Sequence, residues 1–362
     1  MTQPPLAWYG FGRTSTIGAK RLQRLRLLFE ENIESAWSAP IEQLRKAIGE
    51  KAALRFDQER QQIDLQEEAN LCRKQDIHLL TIHDKRYPDL LAQTHDPPSV
   101  LYYKGDLAAL EQPCVSMVGT RKASAYGRQV ATDIATDLAR AQWTTVSGLA
   151  FGIDITCHRA SVASGGRTIA VLPGGLDPLS LAPATHAQDA QQIVEHGGLL
   201  LSEYAPGTQA FKGHFSVRNR LIAGLSHVTV VVEARLASGT MITARAALAE
   251  NRELCAVPGS VNSLTSQAPH QLIKEGAALV TSAQDIMETL SLDYIPPVQE
   301  TANLSEEETT LMNLIGPEST PIDEVVRASS YPTSRVMSLL TQLELQGWIQ
   351  PAGAGSVRRA KT

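Results

Sequence analysis

Eight short, almost wholly apolar runs between residues 77 and 280 constrain this chain more than any other feature. They fall at 77–82, 115–118, 144–146, 168–172, 199–201, 228–232, 254–257 and 278–280, and the later ones are separated by helical patterns such as 126–141, 184–196 and 242–251. Strand and helix in repeated alternation specify a doubly wound α/β sheet. The runs are apolar throughout rather than every second residue, as strands must be when helices cover both faces. The expected fold class is therefore α/β, an extended Rossmann-like domain over 76–290.

A chain of 362 residues exceeds what one small core supports, so further domains are expected. Residues 1–75 read as helical, with apolar positions recurring at Leu22, Leu25, Leu28 and Phe29, at Leu44, Ala47 and Ile48, and at Leu65, Ala69 and Leu71. Thr16-Ile17-Gly18 resembles the hairpin of a helix-hairpin-helix unit, whose loop amides can meet a DNA phosphate. The same three residues suit a tight turn in a small helical (SAM-like) protein-contact domain, and this second reading is the one preferred. Residues 291–303, SLDYIPPVQETAN, have the Pro-Pro pair and polar flanks of a linker. Residues 304–355 then offer three helices and a hairpin, a winged helix with 333–345 in the recognition position. That helix carries Arg335 as its cation in an acidic segment, which favours protein contact over tight duplex binding.

The net charge of −5 conceals its distribution. Residues 1–111 hold 15 basic and 16 acidic groups, residues 112–290 hold 13 of each, and residues 291–362 hold 5 against 9. Any polyanion site in the α/β domain must then be a local patch on a neutral body. Cys72, Cys114, Cys157 and Cys255 form no CxxC pair, which argues against a zinc module or disulfide framework and fits a reducing cytoplasm. No apolar run reaches the roughly 18 residues of a membrane helix, and the N-terminus lacks a secretory layout. A cytoplasmic protein without membrane attachment, metal or cofactor is expected.

In an open α/β sheet, ligands gather where strands run out into helix starts. There this chain places Gly119-Thr120-Arg121-Lys122, then Ser147-Gly148 opening SGLAFGID, Pro173-Gly174-Gly175, and Ser238-Gly239-Thr240. Such turns bring amides and helix N-termini to one rim and favour anions. The dinucleotide pattern GxGxxG and the Walker A sequence are both absent, leaving a mononucleotide or nucleic-acid phosphate as the ligand class. Lys212-Gly213-His214-Phe215-Ser216-Val217-Arg218-Asn219-Arg220 suits a phosphate track with a stacking surface. Arg218 or Arg220 pairing with Glu233 or Asp154 across the rim is the competing, purely structural reading. We assign Arg220 to that strut role and Lys212 and Arg218 to DNA. Asp154 and His158, four apart on a helix, are expected to form a structural ion pair.

Together, Val118-Gly119-Thr120-Arg121, SGLAFGID, FSVRNRLIAGLS (215–226) and EARLASGTMITARAALAENRELCAVPGS (233–260) resemble the DNA-processing protein A (DprA/Smf) family. Tyr87-Pro88 and Asp96-Pro97-Pro98 match its lead-in, and 270–277 its close. The resemblance covers about residues 76–290 and implies a non-catalytic mediator. Such a protein binds and shields single-stranded DNA during natural transformation, loads RecA recombinase onto it, and acts as a homodimer. It implies DNA contacts from Gly119, Thr120 and Arg121 and from Phe215, Arg218, Asn219 and Arg220; the turns and the basic segment add Lys122, Ser147, Gly148, Phe211, Lys212, Ser238, Gly239 and Thr240 to the candidate DNA-binding set. It places the dimer surface near Leu272 and Ile273. The chain departs from the family at Pro173-Gly174 and, after the shared Leu176-Asp177, at Pro178-Leu179-Ser180-Leu181-Ala182-Pro183, which argues against a DNA contact from that loop; His270 stands where the family carries Asn ahead of Leu-Ile. The related phosphoribohydrolases share Pro-Gly-Gly, but their motif continues to a Glu. Here Asp177-Pro178-Leu179 follows and the next Glu is Glu195, so that enzyme reading, the alternative, loses its acid. A scaffold that recruits a recombinase without touching DNA is a third reading.

Overall fold

The computed structural model describes residues 4–290, 305–316, 319–345, 348–353 and 355–359, so the linker at 291–303 lies outside the described residues. Nine strands form one sheet: β1 (His78–Thr81), β2 (Val100–Gly105), β3 (Cys114–Val118), β4 (Thr144–Ser147), β5 (Thr168–Leu172), β6 (Leu199–Ser202), β7 (Val228–Val231), β8 (Glu253–Ala256) and β9 (Ala278–Leu279). Their order is β1-β2-β6-β5-β4-β3-β7-β8-β9. From β6 through β9 all pairings are parallel, whereas β2 joins β6, and β1 joins β2, antiparallel.

The chain winds outward from β3 in one direction to β6, then returns to β3's other side as β7. The strand order therefore reverses between β3 and β7, whose register pairs Val115 with Val228 and Val118 with Val231. That reversal opens a crevice beyond the carboxyl ends of these two strands.

Alternation within a buried strand feeds two cores. In β5, Ile169 and Val171 pack with Leu221 and Ile222 of the helix Lys212–Gly224, while Ala170 and Leu172 pack on the opposite face with Ala190 and Ile193. Both faces are covered, which is why the run is apolar at every position. The sequence expectation missed β2: VLYYKG follows Pro97-Pro98 and contains two tyrosines, yet all four of its first residues are buried.

Six helices between Ala7 and Lys74 make the N-terminal layer. Its centre is Phe11 stacked on Phe56 at 5.6 Å, with Trp37 edge-on to both. The same core takes in Val100 and Tyr102 of β2, so this helical region and the sheet form one compact unit. Within it Ile17 and Thr16 are buried and exposed Gly18 caps the helix Ala19–Leu28.

The C-terminal unit is a winged helix. Helices Glu306–Leu314, Ile322–Ala328 and Thr333–Leu345 accompany β10 (Thr320–Pro321), β11 (Ile349–Pro351) and β12 (Ser356–Arg359), ordered β10-β12-β11 and antiparallel. Leu311, Val325, Val336, Leu340 and Val357 share its core, and a Ser305/Glu308 capping box starts the first helix. Arg335, the cation of the third helix, is held by Glu307. No helix among the described residues is long and apolar enough to cross a membrane.

Candidate nucleic-acid interface

The crevice at the β3/β7 reversal contains a hollow of about 260 Å³. It is lined from the β3 turn by Gly119, Thr120 and Arg121, from the helix Lys212–Gly224 by Phe215, Arg218 and Asn219, and from the β7 loop by Ser238, Gly239 and Thr240. Residues scattered over 120 positions thus share one wall. Close backbone approaches make this possible. Gly152, at φ +78°, lies so near the β3 turn that a Cβ would sit 2.2 Å from the Thr120 carbonyl oxygen. A Cβ on Gly148 would strike the Arg218 guanidinium at 2.5 Å.

Three helices, Ile153–Ala163, Lys212–Gly224 and Thr240–Ala249, begin at this rim, and none has a side-chain cap on its first amides. Carbonyls of Thr120, Ala150, Ser238 and Gly239 take the Ile153, Ile155, Met241 and Ile242 amides, whereas those of Lys212 and Gly213 stay open, among the described residues, beside the positive end of the helix dipole. The Ser238 hydroxyl, shielded from solvent, has no partner among the described residues.

The cations divide into two sets. Arg121 makes no ion pair or hydrogen bond with the described residues, and its guanidinium lies 5.0 Å over the Phe215 ring. Lys122 and Lys212 are exposed and their ammonium groups are equally unpaired. Arg235, in the β7 loop, belongs with them; the sequence reading passed over it because it stands apart from the Lys212–Arg220 cluster. Phe151, 47% exposed and edge-on to His186, was likewise missed, although a bulky residue inside a glycine-rich rim loop was the available signal.

Arg218, Asn219 and Arg220 are engaged internally. Arg218, expected to face DNA, is instead 3% exposed. Its Nη1 donates to the carbonyls of Gly148 (2.8 Å) and Val171, tying the ends of β4 and β5. Burial pulls its guanidinium down to about 10, with Asp154 opposing the fall. Asn219 donates to the Gly239 carbonyl at 3.3 Å and accepts from Arg218 Nε. Arg220 has the strut role, but its partner is Glu203, bidentate at 2.6 Å, together with the Asp96 carbonyl. Glu233 takes no arginine among the described residues. It accepts from the amide and hydroxyl of Ser124 and from Thr265, anchoring the start of the helix Ala125–Arg140.

Ser147 and Gly148 are also spent: the Ser147 hydroxyl donates to the Met117 carbonyl and the Gly148 amide to Asp154. Leu272 is 3% exposed and packs in the sheet core, so of the pair assigned to a dimer surface only half-buried Ile273 reaches outward. Asp177 is buried and accepts from the amides of Ser180 and Gly207.

The expected Asp154–His158 ion pair does not form. The Thr168 hydroxyl donates to Thr145, so His158 Nδ1 must donate to Thr168 Oγ1 (2.8 Å), leaving Nε2 to accept the Leu149 amide. The imidazole is thus satisfied as a neutral ring. Burial lowers its pKa to about 3, against an opposing pull from Asp189. Asp154 turns to the amides of Gly148 and Ala150, its carboxyl raised by desolvation and drawn back by Arg218. Between pH 6.5 and 3 the unfolded chain therefore binds a proton at His158 that the folded chain refuses, and stability falls as pH falls through this window. Thermal melts at pH 7.5 and 4.5 should show a smaller loss on acidification for His158→Asn than for the native sequence.

Fold and site together define a class: a Rossmann-like α/β protein whose switch-point crevice carries a hollow edged by exposed cations and phenylalanines. The family model described as DNA recombination-mediator protein A matches residues 78–291, and the DprA winged helix domain matches 295–355. The chain belongs to this DNA-processing protein A family. It is 37% identical over 302 residues to protein Smf of Escherichia coli (strain K12), covering 80% of each chain. It is 42% identical over 229 residues to the DNA processing protein DprA of Bacillus subtilis (strain 168), covering 62% of this chain and 76% of that one. Among solved structures, DNA processing protein A of Streptococcus pneumoniae superposes with a TM-score of 0.68 at 33% identity, over 81% of this chain and all of that one. DNA processing protein A from Helicobacter pylori, whose structure is titled for its single-stranded DNA binding mode, superposes with a TM-score of 0.52 at 32% identity over 59% of this chain and 95% of that one.

Proposed function

We propose that this protein binds single-stranded DNA in the β3/β7 crevice without breaking any bond in it, and hands the strand to RecA recombinase during DNA uptake. The observation that carries the DNA contact is Arg121: a guanidinium with no partner of its own among the described residues, set over an aromatic ring and beside three uncapped helix starts. A phosphate satisfies the cation and amides, and a base stacks at Phe215. Membership of the DNA-processing protein A family supports the RecA and transformation part of the reading. Action as a homodimer would join two such crevices on one strand, and four buried, unpaired thiols fit a reducing cytoplasm.

The test is a gel shift with single- and double-stranded oligonucleotides across a salt series. Single-strand binding should weaken with a log–log slope of about −0.7 per phosphate neutralised, and the slope should be modest because few cations are free. Equal affinity for duplex, or no salt dependence, would count against the crevice. Release of free base from a nucleoside monophosphate, abolished in Asp177→Asn, would instead establish the hydrolase. Asp177's commitment to two backbone amides argues against that outcome.

A further inference from the structure

One aromatic cluster lies outside the hollow; it contains Phe211, a candidate DNA-binding residue that the hollow does not include. Tyr204, His214 and Phe211 form a column of rings: Tyr204 stacks on His214 with centroids 4.0 Å apart and planes 21° apart, and Phe211 follows at 3.6 Å, tilted by 46°. His214 Nδ1 contacts the Pro173 carbonyl at 3.0 Å. A carbonyl only accepts, so Nδ1 carries the proton. Burial holds the His214 pKa below its usual range, keeping the ring a neutral stacking surface. The middle of the column is thereby fixed to the loop after β5.

The outer end is open. Phe211 is 59% exposed, though one of its sides is occupied by His214. It packs so closely over Gly213 that a Cβ there would lie 2.9 Å from Phe211 Cε2. A phenylalanine that leaves more than half its surface in water contributes little to a core. Exposed Lys212 follows it directly, and the amides of Lys212 and Gly213 have no partner among the described residues, since Phe211 caps the helix without a side-chain bond. Phe215 stands four residues further on. Phe211 is the extended N-cap residue (φ −129°, ψ 169°), and Phe215 lies in the first turn of the helix that follows it. Phe211 and Phe215 are thus separated by one turn, with a cation and two amides at the helix start.

We propose that the outer face of Phe211, backed by His214 and Tyr204, is a second base-stacking platform for single-stranded DNA. Lys212 and the helix start take the phosphate between the base on Phe211 and the base on Phe215. This rests on the crevice binding a single strand, and it adds a direction: the strand leaves the hollow along the first turn of the helix Lys212–Gly224. The ligand class is a nucleobase of either ring size, because stacking needs only a π face.

The experiment uses the full chain with Phe211→Ala, Phe211→Leu, Phe215→Ala and Arg121→Ala, titrated with oligothymidylate and with an abasic oligomer of equal length. Loss of one stacked base should weaken oligothymidylate binding by roughly 5- to 150-fold in both Phe211 variants. Abasic binding and the melting temperature should stay unchanged, since Leu keeps the apolar contact without the ring. Native affinity in both Phe211 variants, with Phe215→Ala weakened, overturns the platform and leaves the crevice reading in place. Equal weakening on abasic DNA also overturns it, because Phe211 would then only position Lys212. Native affinity in all four variants removes the crevice reading itself.

Discussion

Arg218→Met should lower the stability of the α/β unit by about 3–5 kcal/mol, a loss that thermal or denaturant unfolding would read directly. The side chain is 3% exposed and its guanidinium donates to two carbonyls at the ends of adjacent strands. Methionine fills similar space but leaves those acceptors bare and removes the stronger of the two arginine charges, Arg218 and Arg121, that favour the buried Asp154 carboxylate. Arg218 acts on Asp154 by charge at a distance rather than as a direct ion pair, so adding Asp154→Asn should recover part of the loss. For a unit of this size the single variant should melt several degrees lower, on the order of 2 °C per kcal/mol. The drop should persist in high salt, because mobile ions screen buried charges weakly. An Arg218→Met protein that melts like the native one would mean that the arginine does not tie β4 to β5.

Arg121→Ala should act on binding and leave stability alone. Its guanidinium is exposed and, among the described residues, lies against the Phe215 ring without an ion pair or hydrogen bond. Its loss should weaken single-strand binding for all base compositions alike, since phosphate contacts carry no sequence information. The slope of the salt dependence should fall by about 0.7. Phe215→Ala should cost roughly 1–3 kcal/mol of binding through one lost stacked base and should not change the slope. Because Arg121 lies over Phe215, the double variant should lose less than the sum of the two single losses. If Arg121→Ala together with Lys212→Ala binds like the native protein, neither residue belongs to the site.

These two arginines show where reading the chain succeeded and where it failed. The glycine and hydroxyl turns after the strands were legible because a parallel sheet always delivers its strand ends to one rim. Nine of the assigned DNA contacts do line one hollow: Gly119, Thr120, Arg121, Phe215, Arg218, Asn219, Ser238, Gly239 and Thr240. What each does there was not legible. Arg218 and Arg220 are two residues apart and chemically identical in sequence; Arg220 is a strut, but on Glu203 rather than on Glu233 or Asp154. That Arg218 is one as well depends on Gly148 leaving room for its guanidinium, a contact between residues 70 positions apart. His158 and Asp154 had the spacing of an ion pair, but Thr168 and the Leu149 amide claimed the imidazole first.

Local pattern alone determined the alternation of strands and helices, the α/β class, the winged helix and the rim on which a ligand would sit. Hydrophobic periodicity and turn chemistry act over a few residues and can be read one segment at a time. Only the tertiary structure decided that β2 joins the sheet antiparallel, that Leu272 faces inward, and which cations stay free. A charged side chain's role depends on whether an oppositely charged group or a carbonyl reaches it before solvent does, and the groups that do so come from distant parts of the chain.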